Sequence, residues 1–439
     1  MVAWNIQINH TMAPQSPSDR DTNNISSKDP KNEGYRHLTP EAIQGLKDFQ
    51  YNGADHSLIY KYILSPLAGF LVDHATPSKV APNTITLFGF SFMIVALLLI
   101  QHHCPSFDQC TPENNVPGYI FLVNGLALLI YQTLDNMDGK HARKTNSSSP
   151  LGLFFDHGLD ACNVFIGTVN TICLLGIGTD DLVSIAVITF MTSFAFYVTT
   201  WEEYYTHKLE LPIINGPSEG VLSSALMSLG SWYFGQQIWH AYSFNETMVN
   251  YLPSSILELF PGDHLAGGYS NLNFFCVFLT AMTMREAISK ITFVVRNYGI
   301  KTIIGLAPLL ALMALSTLIV LSDGGAKVFI QHQRLSLYIF GVTFVEMTTA
   351  LMLAHMSKMQ YDPFRNTICP LFILYTLVDL KVPMTYVEPF MMVHASLISS
   401  FVIVKTKAVI REMCNALGIW CFDIVTPHPN DTRSDKKNK

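Results

Sequence analysis

The chain has 439 residues, of which 49% are hydrophobic and 14% charged, and its mean hydropathy is +0.28. Soluble domains carry about a quarter charged residues, so this deficit, spread over many long apolar runs, argues against a soluble protein and for a polytopic membrane one. A net charge of −6 is too small to imply a nucleic-acid partner, and the eight scattered cysteines contain no CxxC pair or Cys/His zinc spacing.

Residues 1–34 are polar, centred on NNISSKDPKNEG, and read as a disordered tail without a signal peptide. Residues 35–80 hold two amphipathic elements. HLTPEAIQGLKDFQY reads as a helix with Thr39 as N-cap and Pro40 at its first position. SLIYKYILSPLAGFLVDHA mixes apolar stripes with Lys61, Pro66 and Asp73 and reads as an interfacial helix rather than a span.

From residue 81 onward the pattern predicts an all-α architecture of about ten transmembrane helices, each needing about 20 apolar residues. The first begins at Pro82-Asn83-Thr84, the second runs into Asp135 and the third leaves from Asp156. A fourth leads into WEEYYTHKLELPIINGPSEG, and a fifth covers VLSSALMSLGSWYFGQQIW. These make an expected catalytic portion at 81–240. Residues 241–411 carry five further apolar runs, of which CPLFILYTLVDL is short, and 412–439 read as a polar tail.

Loop charges divide the set into two sides. Lys140, Arg143, Lys144, Arg296, Lys301, Lys358, Arg365, Lys405, Lys407 and Arg411 fall on the side of the loop between the second and third spans. Asp108, Glu113, Asp180, Asp181, Glu246, Glu258 and Asp263 fall on the other. The positive-inside rule then puts the first side in the cytosol. The opposite side holds Cys104 and Cys110, where a disulfide is allowed, and the Asn245-Glu246-Thr247 sequon.

The chemistry concentrates in DNMDGKHARKTNSSSPLGLFFDHGLD, residues 135–160. Asp135 and Asp138 are spaced i,i+3 and Asp156 and Asp160 i,i+4, so each pair shares a helix face. Four carboxylates this close repel one another and are costly to desolvate. A hard divalent cation removes that cost, and oxygen-only ligands suit Mg²⁺ or Mn²⁺, the former commonly shared with substrate phosphates. Gly139 and Gly152 let a ligand approach the backbone, and Arg143 offers a planar donor fork to phosphate oxygens. The bland alternative is two Asp-capped helix ends around a solvated loop. Capping accounts for Asp at a helix start, but not for a pair where a helix ends, since the dipole there disfavours anions.

The arrangement Asp-x2-Asp-Gly-x2-Ala-Arg-x8-Gly-x3-Asp-x3-Asp is filled by Asp135, Asp138, Gly139, Ala142, Arg143, Gly152, Asp156 and Asp160. It resembles the signature of the CDP-alcohol phosphotransferases, and KHARKTNSSSPLG with FDHG is similar to their eukaryotic choline/ethanolaminephosphotransferase branch. The resemblance runs from about Gln50 to Arg411 and is specific between Asn83 and Asp160. Leu153 stands where that branch carries an acid, and Asn136 where a small residue is common.

The resemblance implies two bound Mg²⁺ or Mn²⁺ ions held by Asp135, Asp138, Asp156 and Asp160. It implies His157 as the base, with Glu219 as its partner, and Asp160 as the alternative base under the older family-wide assignment. Asn83 matches a nucleotide-contacting position, although a helix N-cap would equally account for Asn after Pro. The implied substrates are CDP-choline or CDP-ethanolamine and diacylglycerol within the membrane lipid of the endoplasmic reticulum or Golgi, with a homodimer left open. An inositol-type acceptor and a divalent-cation transporter are the competing functions; a transporter would need further acids at other depths.

His157 has an unperturbed pKa of about 6.5, which suits proton transfer, but a neutral capping role is the plain alternative. Trp201, Glu202, Glu203, Tyr204 and Tyr205 read first as an interfacial aromatic belt and second as a cradle for a quaternary ammonium. Arg285, Glu286 and Lys290, inside an apolar run, call for partners or a lining role.

Overall fold

The computed structural model describes residues 37–241, 270–322 and 324–430. The N-terminal tail at 1–34 and the Asn245 sequon lie outside the described residues. The first helix, α1 (Pro40–Lys47), starts where expected, with Thr39 capping it through a bond from Ala42 N and Pro40 in its first turn. The second amphipathic stretch is a π-helical turn, Tyr60–Leu64, that continues into α2 (Ser65–His74). Tyr62, Ile63, Leu67 and Phe70 are exposed on its outer side, while Ala68 and Val72 are buried inward.

The long helices follow: α3 (Pro82–His103), α4 (Tyr119–Lys144), α5 (Pro150–Leu174) and α6 (Leu182–Thr206), then the shorter α7 (Val221–Phe234). Beyond the next described boundary come α8 (Asn271–Tyr298), α9 (Ala307–Leu321), α10 (Gln333–Met356), α11 (Cys369–Asp379) and α12 (Met384–Leu417). Among the described residues six helical segments are long and apolar enough to cross a membrane: α3, α4, α6, Ile300–Leu321, α10 and α12. The protein is thus a mostly helical, integral membrane protein. Of the spans expected from the sequence, the fifth and ninth are short helices of 14 and 11 residues. The apolar run of the fifth is broken at Gly235, whose φ of +81° only glycine adopts readily.

One departure from an all-α chain is a parallel strand pair, β1 (Gly53–Asp55) with β2 (Leu209–Leu211), in the register Gly53↔Leu209 and Asp55↔Leu211. It ties the segment before α2 to the one after α6. The C-terminal segment, expected as a tail from 412, is helical to Leu417; residues after it pack back on the body.

α5 is the helix around which the others gather. It packs on α3, α6, α10 and α7 and buries twelve residues, among them the polar Asn163, Thr168, Asn170 and Thr171. Asn170 Nδ2 donates to Asn124 Oδ1 at 2.8 Å, Asn124 Nδ2 to Ser228 Oγ at 3.0 Å, and Ser228 Oγ to the Phe121 carbonyl at 2.8 Å. Such a relay pins α5, α4 and α7 together where lipid offers no hydrophobic drive between helices. Leu87, Phe88, Val95 and Leu98 on α3, and Leu397, Phe401 and Val404 on α12, are instead exposed, as lipid-facing sides should be. The Cys104–Cys110 disulfide forms in the loop between α3 and α4.

The α10 contact with α5 is close because Gly341 faces Phe165; a Cβ there would overlap the ring. Gly341→Ala is therefore expected to destabilise the fold by about 1–3 kcal/mol, the usual cost of overpacking. A melting temperature equal to wild type in the same detergent would show that the contact yields.

Candidate active site

α4 does not end at its acids. It runs two turns past Asp138 to Lys144 and closes in a Schellman cap: Asn146 takes φ +54°, its N–H donates to Arg143 O at 3.2 Å, and Ser147 N–H donates to Ala142 O at 2.9 Å. α5 starts six residues after Lys144, with Ser149 Oγ accepting from Gly152 N at 3.2 Å and Pro150 in the first turn. The tight reversal sets the acid-bearing turns of the two helices side by side.

Oxygen atoms of Asp135, Asp156 and Asp160 lie within 4.8 Å of one another. Asp138 belongs to the same stretch, is only 6% exposed, and accepts the hydroxyl of Thr86 from α3. Asp160 accepts the hydroxyl of Tyr131. Oδ1 of Asp135 and Oδ1 of Asp156 are buried without a hydrogen-bond partner. Among the described residues no lysine or arginine forms an ion pair with any of the four. Buried carboxylate oxygens are not left unsatisfied without cost, and an all-oxygen donor set of this kind fits a hard divalent cation. The residues present therefore fit the expected ions.

Arg143 is solvent-exposed and folds back along α4, its Nη1 3.6 Å from where a Cβ of Gly139 would sit. Gly139 thus leaves the guanidinium face open. The two flanking lysines point away to hold α2: Lys140 Nζ donates to Ser65 Oγ at 2.8 Å, and Lys144 Nζ to Val72 O at 3.0 Å and Asp73 at 2.9 Å. Ser65 also lines an open cavity of about 420 Å³ with Asp55, His56, Leu58, Tyr60, Lys61 and Ile213.

His157 is half-buried, and none of the described residues forms a hydrogen bond with it. Glu219 lies in the turn before α7, where it accepts from Ser57 Oγ and, at 3.0 Å, from Asn215 N. No hydrogen bond joins it to His157 among the described residues. Gln132 on α4 holds that turn by donating to the carbonyls of Pro217 and Ser218 at 2.9 and 2.8 Å.

Asn83 is the second residue of α3, and the N-cap is Ala81, so the capping explanation for Asn83 does not hold. Its amide Nδ2 donates to the Cys421 carbonyl at 2.9 Å, and its Oδ1 lies 3.6 Å from where a Cβ of Gly152 would sit. Gly152 therefore leaves room between the α3 and α5 starts.

Trp201 overturns the interfacial-belt reading. It is fully buried, donates Nε1–H to Thr302 O at 3.1 Å and presses on Gly305, where a Cβ would be 2.7 Å away. Glu203 is buried 3.6 Å from His355 Nε2. Lys290 is buried in an ion pair with Glu202 and lies 3.6 Å from Glu286, so two of the three charges noted in that apolar run have partners; Arg285 is exposed.

The sequence pattern missed Thr86, Tyr131 and Asp55. Tyr131 stands four residues before Asp135, on its face, and Thr86 three after Asn83, but their partners are on other helices. Asp55 accepts from Ser57 N, Asn215 Nδ2 and Ser218 Oγ at 2.8, 2.9 and 2.8 Å and so organises the Glu219 turn. Tyr51 is half-exposed; partial burial, then the Glu203 and Asp156 carboxylates, push its phenol above the usual range, while Arg143 opposes.

Residues 79–241 match the CDP-alcohol phosphatidyltransferase family. The chain is similar to uncharacterized CDP-alcohol phosphatidyltransferase class-I family protein 3 of Dictyostelium discoideum, 26% identical over 415 residues, 89% of this chain and 99% of that protein. It is 26% identical over 423 residues to human ethanolaminephosphotransferase 1, covering 92% and 99%. With choline/ethanolaminephosphotransferase 1 of Saccharomyces cerevisiae it shares 36% over 207 residues, 47% of this chain and 51% of that protein. The chain thus spans about half the length of the yeast relative in that match.

Proposed function

Residues 79–241 belong to the CDP-alcohol phosphatidyltransferase family, and from that premise we propose that the protein transfers phosphocholine or phosphoethanolamine from the CDP-alcohol to diacylglycerol. The products are phosphatidylcholine or phosphatidylethanolamine and CMP. The observation that carries this reading is the cluster of acids on α4 and α5 with orphaned buried oxygens, in the same stretch as Arg143 and an unbonded His157. A transporter reading has less support, since the four acids gather within residues 135–160, and the exposed guanidinium of Arg143 follows five positions after Asp138.

Asp135, Asp138, Asp156 and Asp160 would hold two divalent ions, which supply charge neutralisation for the diphosphate and the departing CMP. Arg143 adds donors toward the phosphate oxygens. Asn83, Gly139 and Gly152 form the walls of the nucleotide subsite. His157 takes the proton of the diacylglycerol hydroxyl as that oxygen attacks the alcohol-bearing phosphorus and the bond to CMP breaks. Of the two candidate bases, His157 has its ring nitrogens uncommitted, whereas Asp160 already accepts from Tyr131 and shares the acid cluster. Glu219 acts on this reading as a support for the base, reached through movement of its turn or through solvent.

We propose that the α4–α5 hairpin faces the cytosol from the membrane of the endoplasmic reticulum or Golgi, from the loop charges. One assay tests both claims. Sealed, right-side-out microsomes containing the protein receive membrane-impermeant, radiolabelled CDP-choline or CDP-ethanolamine with Mg²⁺ or Mn²⁺. Label should enter phospholipid without detergent. Label only after permeabilisation reverses the orientation, and none under either condition sinks the proposed reaction.

A further inference from the structure

The open cavity beside α2 holds none of the four acids, and two segments tied together by the β1–β2 pair wall it. Tyr60, Lys61 and Ser65 come from the π-helical turn and the start of α2, Asp55 and His56 from the end of β1, and Ile213 from the segment after β2. Its volume of about 420 Å³ is that of an ordinary small-ligand pocket.

The polar lining divides into engaged and free groups. The Asp55 carboxylate accepts from Ser57 N, Asn215 Nδ2 and Ser218 Oγ at 2.8, 2.9 and 2.8 Å, so its charge is answered by the Glu219 turn. Ser65 Oγ accepts from Lys140 Nζ at 2.8 Å, which brings one ammonium to the rim. Lys61 supplies a second. Its Nζ has neither an ion pair nor a hydrogen bond among the described residues, and its one contact is the Tyr62 ring, 5.3 Å to the centroid. The cavity therefore offers positive charge that no carboxylate neutralises.

Around that charge the same segments are apolar. Tyr62, Ile63, Leu67 and Phe70, with Ile213 and Ile214 on the facing segment, are each 42–67% exposed. Six large apolar side chains around a lysine suit a bilayer surface, where they enter the acyl region while the ammonium stays at the headgroups. The segment is also linked to the Glu219 turn. Ser57 Oγ accepts from Tyr60 N at 2.9 Å and donates to Glu219, so the turn carrying Lys61 starts on the hydroxyl that holds Glu219.

We propose that this cavity binds the phosphate of an anionic phospholipid from the surrounding leaflet, with Lys61 as its cation. The bound lipid steadies residues 55–61 and, through Ser57, the Glu219 turn. Diacylglycerol has no phosphate to meet Lys61 and is not the occupant. The site goes beyond headgroup transfer and does not depend on it.

The test places the full-length protein in phosphatidylcholine vesicles containing a minor share of phosphatidylglycerol that carries a photoreactive diazirine near its headgroup. After illumination, peptide mass spectrometry should find the label on residues 55–65. Lys61→Ala should lower that labelling about fivefold, the scale of one lysine at an anionic membrane surface. Lys79→Ala removes the same charge from another exposed position and should leave it unchanged. An equal fall in both variants shows diffuse surface attraction and overturns the site. Added diacylglycerol, at constant phosphatidylglycerol content, should not displace the label; displacement overturns the assignment to a phospholipid phosphate.

Amide hydrogen exchange reads the link to Glu219. Phosphatidylglycerol should slow exchange in residues 57–61 and 215–220 of the wild type, and in Ser57→Ala should no longer slow it in 215–220. Exchange in 215–220 that ignores the lipid in the wild type, or still responds in Ser57→Ala, overturns the link. Neither measurement needs turnover, so a protein that transfers no headgroup ends the transferase reading while the lipid site is still decided.

Discussion

Asp156→Asn is expected to abolish measurable headgroup transfer while the protein still inserts and purifies as wild type does. The substitution is nearly isosteric, so packing of α5 against α3 and α10 is retained. What is lost is one negative charge and one oxygen that is buried without a hydrogen-bond partner, as expected of a metal ligand. Removing a mere supporting contact to a metal ligand typically costs about 10- to 100-fold, so loss of a ligand itself should exceed about 100-fold. Asp138→Asn should behave alike with an added effect on the Thr86 hydroxyl it accepts. EDTA should reproduce both losses in wild type and be reversed by Mg²⁺ or Mn²⁺. Full turnover in either variant, or in EDTA, would falsify the ligand assignment.

His157→Gln should lower kcat by about 100- to 10,000-fold, the contribution of a positioned general base. The amide fills the place of the ring and can hydrogen-bond, but it cannot take the proton from the attacking hydroxyl. Nucleotide affinity should change little, because the acids, Arg143 and Asn83 are untouched. This split separates His157 from Asp160, whose replacement would disturb the acid cluster and the Tyr131 hydroxyl together. If His157→Gln retains near-normal kcat, Asp160 becomes the better candidate for the base.

Much of the site was legible along the chain because its residues are local. The i,i+3 and i,i+4 spacings put each acid pair on one helix face, and both pairs fall inside 26 residues, so one short reversal between α4 and α5 is enough to bring the pairs together. The pattern was less informative about the helix ends. Asp135 and Asp138 read as a helix terminus, yet α4 continues to Lys144, because GKHARK is polar without being unhelical. Hydropathy marks where a segment leaves the membrane core, while the Asn146 cap marks where the helix stops.

Trp201 shows the other gap. An aromatic residue at the end of an apolar run has the same composition whether it faces lipid headgroups or a neighbouring helix. Only its contact with Gly305 and Thr302 on another segment distinguishes the two. The same holds for Lys290, whose cost in an apolar helix called for a partner or a lining role, and only the fold supplies Glu202.

The sequence by itself determined the membrane-spanning character, the acid pairs with Arg143 and His157 beside them, and the allowed disulfide, since each depends on composition or on residues within a few turns. The tertiary structure alone decided which groups complete them. Thr86 reaches Asp138 across 52 positions, Asp55 reaches the Glu219 turn across 163, and Cys421 reaches Asn83 across 338. Such pairings follow from which helix faces meet. In a membrane those faces are selected by close packing and a few polar bonds rather than by hydrophobicity, and so they leave little trace in the pattern of apolar residues.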